Sequence, residues 1–418
     1  MNTKKYFAEI FKKNTKQDPV IDGIRALSVL SIIAFHVVVG IIQVYEHNKA
    51  KQYILDMPAW LQPLWHGEKG VDAFFLLSAL VIGLSVFKNI ENYNLSAALE
   101  FLKKKFFRIY PLFLVALIAY TLGQWSYFGK YFLSNLVFLN NIIPGERSII
   151  PVGWFLTVEV QYFIALPLLF FALKKTKHQG LVLAALLATS VAACAAVLLS
   201  NPDLYLRPIT DLFLATDRGE FSGRVGRLFY EAGFARYGPF VAGLWLAYLR
   251  SQHSDKLTEI FKNKASAGLV FFAAAALILF PTLLPIYNPN SWYYHPFSVA
   301  QNFWMLASSR QMFACGLGLL ILGCWYSSFT PFKLLNKIFN LGVWRPISKL
   351  AFPAYLFHFP FIAIAAIIVF GTTNIKEVAA VSFLSGSLIF FLAAALTLLF
   401  SIPLHIYIER PLAEREKK

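Results

Sequence analysis

Runs of about 20 apolar residues recur along this 418-residue chain, and they restrict its fold more than any other feature. A helix of that length crosses the roughly 30 Å hydrocarbon core of a bilayer. The runs lie at residues 24–44, 70–87, 108–123, 152–173, 180–199, 230–250, 266–286, 303–325, 347–370 and 381–404. A shorter apolar piece at 131–139 cannot cross and is expected to be re-entrant or interfacial. The sequence therefore predicts an all-α, polytopic membrane bundle of about ten transmembrane helices.

The composition and the distribution of charge argue against a soluble protein and against a nucleic-acid-binding protein. Hydrophobic residues make up 58% of the chain and charged residues only 14%, well below the charged share of an ordinary soluble domain. The net charge of +16 falls in short basic clusters between the apolar runs, not along one stripe. Such clusters are typical of signals that orient membrane helices.

The membrane topology follows from the positions of Lys and Arg. If the N-terminus is cytoplasmic, the inside segments hold 25 basic residues and the outside segments hold 10. This asymmetry predicts an even number of spans with both termini in the cytoplasm. We expect a cytoplasmic N-terminal segment at 1–23, one transmembrane domain at 24–404 and a cytoplasmic tail at 405–418. The segment at 288–297, rich in aromatic residues and proline, is expected at the membrane–water interface.

The three cysteines, Cys194, Cys315 and Cys324, lie within or beside apolar runs. Their spacing fits neither a zinc site nor a disulfide framework, so we interpret them as small buried apolar residues and expect no metal site. The first apolar run is too long for a signal peptide and has no small-residue cleavage pattern. It is expected to stay in the protein as a helix.

Two ionisable side chains in the first apolar run are candidates for function. Arg25 lies at its predicted cytoplasmic end and His36 about halfway through it. Eleven residues are close to three helical turns, so both side chains project from one face, about 16 Å apart along the axis. Asp22 precedes Arg25 by one turn and can pair with it. Snorkelling explains Arg25 equally well, but an imidazole cannot reach water from mid-membrane, so His36 needs a cavity or a polar partner.

Polar side chains in later runs extend this set toward the outer surface. Asp72 lies one turn below the outer end of the second run, where it either caps the helix or serves the reaction, and Ser78 lies near the middle. Glu159 lies about two turns inside the fourth run. Its carboxylate is either reactive or paired with Arg236 or Arg310, which have a comparable predicted depth.

A basic cluster and a second histidine complete the candidates. The lysines at 103–105 and Arg108 start the third run, and Tyr110 follows. An orientation signal or contact with anionic lipid explains the lysines, whereas the deeper Arg108 favours an anionic substrate. His358 reaches mid-depth in the ninth run, where it is either functional or a packing group with one hydrogen bond. Sorted by depth, all these groups form a polar path across the membrane.

Five motifs occur in one order along the chain. They are IDGIRALSVLSIIAFH at 21–36, GVDAFFLLSALVIG at 70–83, RIYPLFL at 108–114, WFLTVE at 154–159 and SKLAFPAYLFHFP at 348–360. Together they resemble acyltransferase family 3, membrane proteins that include bacterial O-antigen and peptidoglycan O-acetyltransferases. The resemblance extends from Asp22 to IERPL at 408–412, and the spacing of Arg25 and His36 is its most specific element.

The chain departs from the family pattern at two positions. Lys105 stands where family members often carry the first of two arginines before a Tyr-Pro pair, so the charge is kept but the planar fork is lost. Ala79 follows Ser78 where a Ser-Gly pair is usual. No esterase-like domain follows the last predicted span, so the resemblance implies a single-module scheme or a separate extracytoplasmic partner transferase.

The resemblance implies a membrane O-acyltransferase of the cytoplasmic (inner) membrane. It would move an acyl group, most simply acetyl, from cytoplasmic acyl-CoA to a hydroxyl of an envelope glycan or glycolipid. His36 would be a general base or a transient acyl carrier, and acyl-CoA would be a substrate, not a resident cofactor. The candidate catalytic residues are His36, Glu159 and Asp72. The candidate donor-binding residues are Arg25, Arg108, Lys105 and Tyr110. The secondary candidates are Asp22, Ser78 and His358.

Two other classes of function fit the residues. A proton-coupled transporter or flippase of a lipid-linked glycan would use His36, Glu159 and His358 as a proton relay. Many transporters show inverted repeats and paired broken helices, and the sequence shows neither. A membrane sensor would use the fold only to bind a ligand. Release of CoA by the purified protein separates an acyltransferase from a transporter.

Overall fold

The computed structural model describes residues 3–12, 18–44, 66–123, 128–143, 147–208, 217–283, 298–374 and 381–415, with a few single residues and pairs between these ranges. Its α-helices are α1 (Thr3–Phe11), α2 (Pro19–Val44), α3 (Lys69–Val86), α4 (Leu95–Gly123), α5 (Phe128–Leu136), α6 (Gly153–Lys174), α7 (Gln179–Ser200), α8 (Arg218–Val225), α9 (Gly233–Gln252), α10 (Ser254–Lys262), α11 (Lys264–Leu283), α12 (Val299–Tyr326), α13 (Thr330–Phe339), α14 (Trp344–Phe370), α15 (Phe383–Leu404) and α16 (Arg410–Arg415). Short 3₁₀ or π turns lie at 87–92, 202–204, 226–230 and 405–409. These ranges contain no β-strand, so the prediction of an all-α fold is confirmed.

Nine helices in the described part of the chain are long and apolar enough to cross a membrane. They are α2, α3, α4, α6, α7, α11, α12, α14 and α15, the last together with the residues that follow it. The one remaining predicted span, at 230–250, corresponds to α9. This helix has 20 residues but contains Arg236 and Arg250, so it is less apolar. It packs against α3, α7 and α12, and a helix that faces protein instead of lipid can carry such charges. The polytopic bundle is confirmed.

The bounds of the helices follow the predicted runs except at the third. There α4 begins at Leu95, 13 residues before the predicted start at 108. The lysines at 103–105 extend the helix beyond its apolar part, because Lys, Leu, Ala and Glu all favour helix. The short piece at 131–139 overlaps α5, a nine-residue helix that is too short to cross. The segment at 288–297 and the predicted helix end at 284–286 lie outside the described residues.

Two glycines allow the central helices to approach one another closely. A Cβ atom on Gly243 of α9 would lie 2.2 Å from the carbonyl oxygen of Leu76 in α3. A Cβ atom on Gly70 of α3 would lie 2.5 Å from the carbonyl oxygen of Ser28 in α2. Both distances are shorter than any side chain tolerates, so only glycine fits. The helix α3 therefore packs tightly between α2 and α9.

Both described ends of the chain lie at the same end of the bundle. Lys5 Nζ is 3.3 Å from Glu414 Oε1, and Arg410 Nη2 is 2.7 Å from Glu9 Oε2. We call this end the terminal face and the other end the opposite face. An even number of crossings, as in a bundle of ten spanning helices, brings both ends of a chain to one face. The assignment of the terminal face to the cytoplasm stays a prediction.

The helices do not all end at the same level on the opposite face. Ser31 Oγ donates a hydrogen bond to the carbonyl of Gly67, just before α3 begins, at 3.2 Å. Tyr355 Oη donates to the carbonyl of Val152, just before α6 begins, at 2.9 Å. Beyond these contacts α2 continues for 13 residues and α14 for 15. Both helices therefore extend about 20 Å, along their own axes, past the ends of α3 and α6.

Candidate active site

A cavity of about 700 Å³ lies at the terminal face between α2, α3, α4, α6, α14 and residues 405–413. Five of the predicted site residues line it, and they are Arg25, Ser78, Lys105, Arg108 and Glu159. They come from four different helices. The sequence had assigned each of these side chains a depth in the membrane but no neighbours. The fold brings them to one cavity.

The deep part of this cavity is positively charged. Arg25, Lys105 and Arg108 surround Glu159, whose side chain is 9% exposed. We call these four residues the cavity floor. Lys105 Nζ lies 4.3 Å from the ring centroid of Phe163, and Arg108 is exposed to the cavity. Because three cations face one carboxylate, the floor suits an anionic ligand.

Arg25 is held in place by a small network at the terminal face. Its Nη1 lies 3.6 Å from Asp22 Oδ1 and 3.4 Å from Ser348 Oγ. Ser348 Oγ also donates to Asp22 Oδ1 at 2.8 Å. Asp22 does not line the cavity. Its carboxylate orients the guanidinium and does not meet a ligand there.

His36 of α2 and His358 of α14 form a hydrogen-bonded pair, which we call the dyad. His358 Nδ1 lies 2.7 Å from the carbonyl oxygen of Tyr355. A carbonyl only accepts, so Nδ1 carries the hydrogen, and Nε2 of the neutral ring is an acceptor. Nε2 lies 3.0 Å from His36 Nδ1, which must then be the donor. The nitrogen of His36 left with a free lone pair is Nε2.

The two rings of the dyad differ in their access to a substrate. His358 is 0% exposed, whereas His36 is only partly buried. The rings of Phe35 and Phe359 lie 5.2 and 4.7 Å from that of His36. The ring of His36 is therefore oriented by His358 and partly accessible, whereas His358 is enclosed by protein.

The cavity ends one helical turn short of the dyad. Tyr355 lines it and accepts a hydrogen bond from His358 through its carbonyl. The rings of Phe74 and Phe155 lie 6.1 and 5.2 Å from that of Tyr355, and both also line the cavity. His36 is not among the lining residues. We call the cluster of Phe74, Phe155 and Tyr355, which lies on the side of the cavity that contacts His358, the aromatic plug.

Comparison with known proteins identifies the family. A family profile described as an acyltransferase domain matches residues 18–406. The chain belongs to acyltransferase family 3. A protein of Komagataeibacter xylinus named as a membrane-bound transacylase, BcsY, is 23% identical over 390 residues, which cover 87% of this chain and 77% of that protein. No solved structure matches the chain. The protein is thus a multi-pass membrane acyltransferase.

In this acyltransferase Asp72 lies outside the cavity, in a buried ion pair. Asp72 Oδ1 is 3.0 Å from Arg236 Nη1, and both side chains are 0% exposed. Arg236 Nε donates to the carbonyl of Tyr230 at 2.6 Å, and Lys69 Nζ lies 3.8 Å from Asp72 Oδ2. Arg236 therefore pairs with Asp72. The sequence analysis had allowed a pair between Arg236 and Glu159, because their predicted depths are comparable. Such a pair holds α3 against α9.

Tyr110 also lies outside the cavity. Its ring stacks on Phe106 with the centroids 4.7 Å apart, and Phe138 lies 6.2 Å away. These contacts pack α4 against the residues that follow α5. Of the predicted donor-binding residues, the acyltransferase thus places Arg25, Lys105 and Arg108 in the cavity and Tyr110 beside it.

Sequence reasoning did not single out several residues that line the cavity, among them Lys12, Lys349, Tyr355 and Arg410. Lys349 and Tyr355 belong to the fifth motif and Arg410 to the IERPL segment, so a signal existed for three of them. Nothing in the local sequence around Lys12 indicates a site. Its role depends on the fold, which brings the chain ends to the cavity.

Proposed function

We propose that this acyltransferase moves an acyl group, most simply acetyl, from cytoplasmic acyl-CoA to a hydroxyl of an envelope glycan or glycolipid. The terminal face would then face the cytoplasm and the opposite face the envelope. One observation carries the proposal: a basic cavity at the terminal face ends one helical turn from the His36–His358 dyad. A charged donor site and an oriented base therefore lie at successive depths along one path.

The donor's phosphates would bind in the cavity. Six basic and three acidic side chains line it, so an excess of positive charge faces a ligand with about four negative charges at pH 7. Arg25 and Arg108 can each donate two parallel hydrogen bonds to a phosphate, and Lys105 contributes a point charge. Glu159 keeps these cations apart and oriented, which makes it a positioning residue of the donor site.

The thioester would reach the dyad through the aromatic plug. Arg25 and His36 are 11 residues apart on α2, about 16 Å along the axis, and the thin pantetheine arm of CoA is long enough for that distance. The rings of Phe74 and Tyr355 would rotate to admit it. Closed side chains in the absence of donor would keep water from the thioester path.

At the dyad, His36 Nε2 would take the proton of the acceptor hydroxyl as its oxygen attacks the thioester carbonyl. The tetrahedral intermediate collapses, the C–S bond breaks, and the imidazolium returns the proton to the CoA thiolate. His358 Nε2 accepts from His36 Nδ1 throughout and stabilises the imidazolium. In a second route His36 Nε2 itself attacks the thioester carbonyl and the CoA thiolate leaves. The acceptor oxygen then attacks the acyl-imidazole, its proton passes to the CoA thiolate, and the neutral imidazole is regenerated.

Substitution of His36 tests the proposal. We expect His36→Ala to abolish the release of CoA from acyl-CoA, because the proposed base is removed and His358, the imidazole that contacts it, is 0% exposed. The measurement is thiol release from acetyl-CoA by purified protein in detergent, with and without a glycan acceptor. His178→Ala, at an exposed position before α7, is the matched control and should keep full activity.

Near wild-type release of CoA by folded His36→Ala protein would disprove the role of the dyad. A wild-type protein that releases no CoA under any condition would instead favour a transporter or flippase. Mass spectrometry of envelope polysaccharides from a deletion strain, which should lack an ester mass, would identify the acceptor.

A further inference from the structure

The two ends of the chain form a clasp at the mouth of the cavity. Arg410 Nε and Nη2 lie 2.8 and 2.7 Å from Glu9 Oε2. Tyr6 Oη donates to Glu414 Oε2 at 3.0 Å, and Lys5 Nζ lies 3.3 Å from Glu414 Oε1. We call α1, Lys12 and residues 405–415 the terminal clasp. The Arg410–Glu9 and Tyr6–Glu414 contacts thus join residues that are about 400 positions apart in the sequence.

Lys349 fastens the terminal clasp to the bundle. Its Nζ donates to the carbonyl of Glu9 and, at 2.9 Å, to the carbonyl of Lys12. These carbonyls belong to the last turn of α1 and the residue after it, where helical partners are missing and the helix dipole is negative. The ammonium group therefore caps α1 and is held at the edge of the cavity.

The cavity consequently has two tiers of positive charge. The floor contains Arg25, Lys105 and Arg108, as described above. The edge contains Lys12, Lys349 and Arg410, together with Glu9 and Glu409. A single phosphate needs only one tier, so two groups of cations on different elements of the lining suit an elongated ligand with two separate anionic groups.

The chemistry of CoA assigns each tier to one anionic group. The pantetheine arm extends from the diphosphate, so the diphosphate must lie on the side of the dyad, at the floor. The 3′-phosphate is on the ribose, which is joined to the diphosphate on the side away from that arm. It would therefore lie at the edge, where Lys12, Lys349 and Arg410 line the cavity.

We propose that the terminal clasp and Lys349 form a binding site for the 3′-phosphate of the donor nucleotide. This inference rests on the proposed function, because it takes acyl-CoA as the donor. It goes beyond the proposed function in assigning one subsite of the donor site to the two chain ends, which are joined through Glu9 and Arg410. The 3′-phosphate adds a dianion to a position where three cations face two carboxylates.

The test compares two ligands that differ only in this phosphate. Binding of CoA and of dephospho-CoA to the purified full-length protein is measured by titration calorimetry in detergent at fixed ionic strength. We expect wild-type protein to bind CoA at least about tenfold more tightly, the effect of one charge-assisted hydrogen bond. Lys349→Gln and Lys12→Gln should each reduce that preference while leaving the affinity for dephospho-CoA unchanged.

Two controls keep this test specific. Lys333→Gln, at an exposed position of α13 that does not line the cavity, should keep the full preference for CoA. Lys349→Gln removes a helix cap and can loosen α1. Lys12, in contrast, is exposed, and its side chain makes no hydrogen bond or ion pair within the described ranges. Lys12→Gln therefore tests the subsite without disturbing the fold.

The outcomes separate this inference from the proposed function. Equal affinity of the wild-type protein for the two ligands overturns the subsite and leaves the donor site standing. A loss of affinity for both ligands in Lys12→Gln and Lys349→Gln overturns the assignment to the 3′-phosphate. A wild-type protein that binds neither ligand overturns the proposed donor itself.

Discussion

At the scale of single residues, the direction of the hydrogen bonds decides what the two histidines can do. The carbonyl of Tyr355 fixes the tautomer of His358, and His358 fixes that of His36. Neither effect depends on charge, so the arrangement exists before any substrate binds. The ring of His36 is thus oriented in advance, and on the proposed mechanism this lowers the reorganisation that proton transfer needs.

Replacement of His358 should affect catalysis more than binding. We expect His358→Phe to lower kcat by about 10- to 100-fold, because His36 Nδ1 loses its acceptor and the ring its orientation. The KM for acyl-CoA should change little, since His358 does not line the cavity. His358→Gln, whose amide oxygen can accept, should recover part of the loss. The measurement is CoA release across a pH series, normalised to folded protein.

A purely structural role for His358 predicts a different result. The thermal midpoint would then fall in both variants, kcat per folded molecule would be unchanged, and the pH profile would keep its shape. That outcome would remove His358 from the mechanism.

The sequence predicted the members of the site better than their partners. Arg25, Ser78, Lys105, Arg108 and Glu159 were chosen as polar side chains in or beside apolar runs and were sorted to different predicted depths, yet all five line one cavity. The partner of Arg236 was not predictable, because depth along a helix does not specify which neighbour faces it. Asp72 and Glu159 have similar depth, and only the packing of α9 on α3 selects Asp72.

At the scale of helices, length and composition predicted most of the architecture. Ten apolar runs correspond to ten long helices, since a continuous apolar run of about 20 residues satisfies its backbone in lipid as a helix. The start of α4 was missed because its first turns are helical but polar. The low hydropathy of α9 has a different reason. This helix packs against α3, α7 and α12, so its residues contact protein more than lipid.

The contact between α3 and α9 depends on one glycine. We expect Gly243→Val to lower the thermal midpoint in detergent by several degrees, because a side chain there overlaps the Leu76 carbonyl and costs about 1–3 kcal/mol or more. Gly268→Ala in α11 is the matched control. Its nearest neighbour would be Phe329 Cζ at 3.8 Å, so this variant should be neutral or gain about 0.5–1 kcal/mol of stability.

Equal thermal midpoints for the two glycine variants would contradict the close packing of α3 against α9. A drop for Gly243→Val with a smaller drop for Gly243→Ala would support it, since the overlap grows with the side chain.

At the scale of the whole molecule, the two faces should differ in chemical access. We expect a cysteine at His36 to react with a membrane-impermeant maleimide added to the envelope side of intact cells, because α2 extends past α3 and α6 at that level. A cysteine at Lys12 should react only after the membrane is permeabilised. A cysteine at His358, which is 0% exposed, is the matched control and should stay unlabelled. The background carries alanine at Cys194, Cys315 and Cys324.

Labelling of the Lys12 position in intact cells would reverse the predicted orientation. A cysteine at position 36 that resists labelling on both sides would mean that this side chain faces lipid, and the proposed mechanism would fail.

The unequal heights of the helices bear on the size of the acceptor. His36 lies 17 residues from the start of α2 but only eight from its end, so its side chain is nearer the opposite face than the terminal face. On the proposed mechanism the flexible pantetheine arm of the donor covers most of the distance between the two faces. The acceptor glycan then inserts a single sugar between the ends of α2 and α14. Polymer length would then matter little to the reaction, whereas bulky branches on the modified sugar would block it.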